Sequence, residues 1–128
     1  MDEKYKLQIK KIISQAKKDK KTIAVALFGS SLKREGRDID ICLFLDRKYS
    51  NLEMSKKKLE YLKEVSDKID IQVFQQLPVY IRIRIIRECK ILLEKNSDLL
   101  YETAFSTIRE FDSFKKLYEM YLNKIENG

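Results

Sequence analysis

The order of apolar runs along this chain predicts an α/β (α+β) fold, a small mixed sheet covered on one face by helices. Three observations predict it. Runs at 22–28, 38–45 and 69–74 are apolar or β-branched and too short for helices. Segments with apolar residues three and four apart lie before, between and after them. Two of the runs carry an acid at every second place or beside a glutamine. In Asp38-Ile39-Asp40-Ile41 and Ile69-Asp70-Ile71-Gln72 the polar residues fall on one strand face and the isoleucines on the other.

Taken in order, residues 4–19 place Tyr5, Ile9, Ile12 and Ala16 at helical spacing with lysines opposite, so the first element is an amphipathic helix. Residues 22–28 form a strand that Gly29 stops. Residues 38–45 alternate and then turn fully apolar, as a central strand does. Ser50-Asn51-Leu52-Glu53 reads as a capping box, with Leu52, Leu59, Leu62 and Val65 lining the buried face of the helix it opens. Residues 69–74 make a third strand before Pro78. Residues 79–88 fit either element: Ile81-Arg82-Ile83-Arg84-Ile85 alternates like a strand, while Val79, Arg82, Ile83 and Ile86 suit a helix. Residues 90–94 fit a short strand. From Ser97 or Asp98 a long helix is expected to about Ile125. Its stripe is Leu100, Ala104, Ile108, Phe111, Phe114, Tyr118, Tyr121 and Ile125. At roughly 28 residues it would be about 42 Å long, more than a small domain can cover, so part of the stripe is free to meet a partner.

Composition narrows the function. The 128 residues are expected to form a single domain, 1–128. No apolar run reaches membrane-spanning length and no signal-peptide pattern follows Met1, so a cytoplasmic chain with no membrane contact is expected. The absence of histidine excludes His-based catalysis and leaves carboxylates, hydroxyls and lysines. Cys42 and Cys89 lie in apolar stretches and read as buried free thiols. The net charge is +7, with eight lysines in the first 21 residues. A solvated helix face explains them, or attraction to polyphosphate or an acidic partner. Aromatic residues do not interleave with them, which argues against nucleic acid.

The chemistry lies in three acids. Asp38 and Asp40 share a face, and Asp70 joins them if its strand is a neighbour. Such clustered carboxylates repel unless a cation holds them, and hard divalent ions, Mg²⁺ above all, suit oxygen ligands. Gly29-Ser30 ends the preceding strand, where backbone N–H groups and a hydroxyl can face phosphate oxygens.

Gly29-Ser30, then Asp38-Ile39-Asp40, then Asp70 on a later strand resemble the signature of minimal nucleotidyltransferases of the DNA polymerase β-type superfamily. The resemblance spans essentially the whole chain, and is strongest to stand-alone prokaryotic antitoxins that act beside HEPN-domain toxins. It implies the polymerase β-type fold. It implies two Mg²⁺ ions held by Asp38 and Asp40, with Asp70 on one of them and helping to deprotonate the attacking hydroxyl. It implies that Gly29 and Ser30 hold the β- and γ-phosphates of a nucleoside triphosphate. Lys33, Arg34 and Arg37 in the spacer are candidate phosphate contacts, with a solvated loop as the alternative. The seven-residue spacer from Ser31 to Arg37 is shorter than the family's usual one, so the turn after Ser30 should be remodelled. The function implied is transfer of AMP from ATP onto a tyrosine hydroxyl of a cognate HEPN toxin, with release of pyrophosphate. A small-molecule acceptor of the aminoglycoside kind, or neutralisation of the toxin by contact alone, are the alternatives.

Overall fold

The computed structural model describes residues 3–29, 39–63 and 65–127. Helix α1 (Glu3–Lys18) leads into strand β1 (Thr22–Phe28). Strand β2 (Ile39–Leu45), helix α2 (Asn51–Leu62) and strand β3 (Ile69–Val73) follow. A 3₁₀ turn (Phe74–Gln76) precedes helix α3 (Val79–Glu88), strand β4 (Lys90–Glu94) and helix α4 (Ser97–Asn127). The four strands form one sheet in the order β3-β2-β1-β4. β1 runs antiparallel to both neighbours, and β2 and β3 are parallel, joined by α2 as the crossover that parallel strands need. The sheet is therefore mixed, as the sequence predicts.

Alternation sorts the strand residues into two cores. Val25, Leu27, Ile39, Ile41, Ile69 and Ile71 pack on one face with Ile9, Ile12 and Ala16 of α1 and Tyr61 of α2. Ala24, Ala26, Cys42, Phe44 and Phe74 pack on the other with Ile85 of α3 and Leu100 of α4. Helices thus lie against both faces of the sheet rather than one, because α3 and the first turns of α4 each carry an apolar stripe that must be buried. On that second face Phe44 and Phe74 stack with centroids 4.5 Å apart. Burial pushes the thiols of Cys42 and Cys89 up, away from the thiolate form that a reactive cysteine needs.

Residues 79–88 are helix. Pro78 is the N-cap, with the extended φ of −60° that proline fixes, and β4 takes the free edge of β1 instead. The α2 cap is as expected: Ser50 Oγ accepts from the Glu53 backbone N–H at 3.2 Å. Its buried face is not. Met54 and Tyr61 are buried, and Leu62 and Val65 are partly so, but Leu52 and Leu59 are 67% and 60% exposed. The reason is a polar knot that α2 closes over the turn before β1. The Tyr61 hydroxyl donates to Asp19 Oδ2 at 2.9 Å and lies 3.1 Å from Thr22 Oγ1. Lys57 Nζ reaches the same carboxylate oxygen at 2.9 Å. Burial alone would push the Asp19 carboxyl up. The Lys57 ammonium, the Lys21 N–H and the Tyr61 hydroxyl outweigh it and hold the carboxyl below its usual range.

α4 is anchored through its first half. Arg82 donates from Nε to the Leu77 carbonyl at 2.8 Å and from both terminal nitrogens to Glu110 at 2.9 Å. The Arg87 guanidinium sits 5.7 Å from the centre of the Phe111 ring. From Asp112 to Glu126 every residue of α4 is exposed.

Candidate active site

The even-numbered face of β2 and β3 changes character along its length. Toward the C-terminal ends it carries Phe44 and Phe74, roofed by α3 and α4. Toward the N-terminal ends it carries Asp40 and Asp70, both half-buried. These two are direct partners across the parallel pair. Neighbouring strands lie about 4.8 Å apart, so the two carboxylates are next to one another on the same face. The sheet brings together here what lies 30 positions apart in sequence.

β1 delivers the turn to the same place. Phe28 pairs with Asp40, and Gly29 follows at a φ of 74°. A Cβ built on Gly29 would lie 2.5 Å from Asp40 Oδ2 and 3.3 Å from its Cγ. Glycine is therefore required twice, by its left-handed backbone and by the carboxylate against its Cα.

Asp70 is held in place from its own strand. Gln72 Nε2 donates to Asp70 Oδ2 at 3.0 Å, and Gln72 Oε1 accepts from Lys58 Nζ of α2 at 3.4 Å. Reading the sequence set Gln72 on the acid face. It did not find Lys58, which reaches the site only because α2 crosses β3, and no local pattern signals that. Asp67, the nearest other acid in sequence, is exposed in the turn before β3 and is not part of the strand. Of the other residues expected at the site, Ser30, Lys33, Arg34 and Asp38 lie outside the described residues, as does Arg37.

Beside Gly29 is a cavity of about 130 Å³ lined by Phe28, Ile81, Ile85, Arg84 and Glu88. Its walls are apolar and its rim carries an Arg84–Glu88 pair at 4.0 Å. A larger hollow, about 420 Å³, lies between residues 46–48 and α4, and neither Asp40 nor Asp70 lines it. Neither carboxylate lines the smaller cavity either, and Gly29 alone ties it to the turn beside Asp40. Two adjacent carboxylates facing a glycine turn make an oxygen-only donor set suited to a hard divalent cation. Among the described residues, to which Asp38 does not belong, no group of three candidate ligands forms.

Residues 10–98 match the family described as "Polymerase beta, Nucleotidyltransferase". The "Putative protein adenylyltransferase MJ1547" of Methanocaldococcus jannaschii is 32% identical over 102 residues, which cover 77% of this chain and 70% of that protein. Two solved structures share the fold. A chain of a tri-AMPylated Shewanella oneidensis HEPN toxin in complex with MNT antitoxin superposes with a TM-score of 0.67 at 16% identity, covering 94% of this chain and 97% of that one. A toxin-antitoxin structure with AMP-PNP gives 0.66 at 16% identity, covering 92% and 95%. The match across residues 10–98 together with the archaeal relative places the chain in the polymerase β nucleotidyltransferase family.

Proposed function

We propose that the protein transfers AMP from ATP to a tyrosine hydroxyl of a HEPN-type toxin, and so acts as its antitoxin. The observation that carries this is the pairing of Asp40 with Asp70 beside the Gly29 turn. The relative described as an adenylyltransferase, and the AMPylated toxin and AMP-PNP complexes that share the fold, support the choice of nucleotide and acceptor.

In this reading Asp38, Asp40 and Asp70 hold Mg²⁺, two ions in all, which when bound neutralise the phosphates and the charge that develops between attacking and leaving oxygens. Gly29 and Ser30 present backbone donors and a hydroxyl to the β- and γ-phosphates, with Lys33 and Arg34 beside them. Asp70 accepts the proton of the attacking hydroxyl. The hydroxyl oxygen forms the new bond to the α-phosphorus as the bond to pyrophosphate breaks. Gln72, bonded to Asp70 Oδ2, is a positioning residue that fixes the plane of that carboxylate.

The test is label transfer from α-labelled ATP to a co-expressed toxin. Asp70→Asn should lower transfer by about 10² or more while ATP still binds, since general-base catalysis contributes roughly 10²–10⁴. Asp67→Asn, in an exposed turn, should transfer normally. ATP with Mg²⁺ should raise the melting temperature of the wild type but not of Asp38→Asn with Asp40→Asn. Full transfer by Asp70→Asn, or an unchanged melting shift in the double variant, would refute the assignment.

A further inference from the structure

The apolar seam of α4 does not stop where the domain stops. Leu100, Ala104, Thr107, Phe111, Phe114, Tyr118, Tyr121 and Ile125 follow one another at spacings of four and three without a break. That is a repeat of 3.5 residues, the period of a helix that packs lengthwise on another helix. The first half is occupied: Leu100 and Thr107 are buried and Phe111 half-buried against the domain. The second half is bare, with Phe114 46%, Tyr118 54%, Tyr121 61% and Ile125 60% exposed. Leu117 and Leu122 widen it. Phe114 and Tyr118 already stack along it at 6.3 Å.

We infer that this exposed half of α4 pairs with the same segment of a second copy, as an antiparallel two-helix coil about a two-fold axis between Glu119 and Met120. The period asks for a helix. Within the described residues α1, α2 and α3 each bury side chains in the domain's own cores, so none of them is free to supply it. The seam is complementary to itself. An axis at that point sets Phe114 opposite the partner's Ile125 and Tyr118 opposite the partner's Tyr121, four layers in which every position of one class meets the other. The flanking charges agree. Lys115 falls beside the partner's Leu122, and Leu117 beside the partner's Lys124. No like charges oppose each other, and the lysine stems cover the leucines. Antiparallel pairing also sends the two domains to opposite ends of the coil, where they do not collide. A closed two-fold contact of this kind uses the same patch on both copies and leaves nothing open for further growth.

The experiment is sedimentation equilibrium on the full chain from micromolar to hundreds of micromolar. The expected result is a reversible monomer–dimer equilibrium. Tyr118→Lys with Tyr121→Lys places four lysines at the centre of the dimer and should raise its dissociation constant about 100-fold or more. Both side chains are exposed in the single chain, so melting of the dilute variant should match that of the wild type. Register is read by mixing Phe114→Cys chains with Ile125→Cys chains under mild oxidation. Antiparallel pairing gives the mixed 114–125 disulfide, and a parallel coil gives 114–114 and 125–125. A monomer at every concentration would overturn the inference and leave the seam to a helix of a different protein. A dimer that survives the lysine pair, or crosslinks only between like positions, would overturn it equally. None of these results depends on nucleotide transfer.

Discussion

Replacing Gly29 by alanine tests the close approach on which the candidate site rests. Two costs add. An L-residue at a φ of 74° sits in the left-handed region, at about 1–2 kcal/mol. Its Cβ would also lie 2.5 Å from Asp40 Oδ2, so the carboxylate must rotate away. Turning a side chain some 30° off its rotamer costs about 0.5–1.5 kcal/mol. The sum, about 1.5–3.5 kcal/mol, should lower the melting temperature by roughly 5–15 °C in a domain of this size. The second cost depends on Asp40 and the first does not. In an Asp40→Ala background the clashing Oδ2 and Cγ are gone, and the nearest remaining atom is Cβ at 3.5 Å. There Gly29→Ala should cost only the backbone share, and the two substitutions should be non-additive by about 0.5–1.5 kcal/mol. Chemical denaturation of the four variants measures this. Label transfer by Gly29→Ala should fall about 10²-fold, the scale set by a 1 Å misplacement of a catalytic group. Equal cost in both backgrounds, or wild-type transfer by Gly29→Ala, would refute the argument that Gly29 exists to admit the Asp40 carboxylate.

Two further predictions concern the scaffold. The Asp19 carboxyl is held below its usual range in the folded state, so the stability it contributes is present above the unfolded value near 4 and is lost as pH falls below it. Asp19→Asn should flatten the decline in stability between about pH 5 and pH 3, which urea titrations across that window would read; an unchanged slope would count against the knot. Ser50→Ala removes the acceptor for the Glu53 N–H and should cost about 1 kcal/mol by the same titration at neutral pH, with no change in nucleotide transfer.

The shared strand face of Asp40, Asp70 and Gln72 in the candidate site was legible because sheet alternation is rigid. Once 38–45 and 69–74 were read as strands, Asp40, Asp70 and Gln72 had to fall opposite the isoleucines, and the cores divide that way. The Ser50 cap was legible because its partner is three residues away. What failed was decided at long range. In α2, Leu52 with Leu59 and Met54 with Tyr61 are both seven apart, on opposite sides of the helix, so periodicity offered two faces. Tyr61 settles the choice, since only it can bring a hydroxyl to Asp19 and Thr22. In 79–88 the Ile-Arg alternation fits a strand while Val79, Arg82, Ile83 and Ile86 suit a helix, so the sequence left that segment open. It became a helix whose Arg82 is used up on Leu77 and Glu110, partners 5 and 28 residues away. Lys58 was missed for the same reason, being joined to Gln72 only by the packing of α2 on β3.

The strand order has a consequence for motion. Asp40 stands on a strand bonded along both edges, while Asp70 stands on β3, the outer strand, bonded only to β2 among the described residues. Backbone amides of β1 and β2 should exchange with solvent only through global unfolding, and those of β3 through a smaller local opening. The two carboxylates would then differ in freedom as well as in place, with Asp40 a fixed post and Asp70 able to shift slightly as an acceptor arrives and a product leaves.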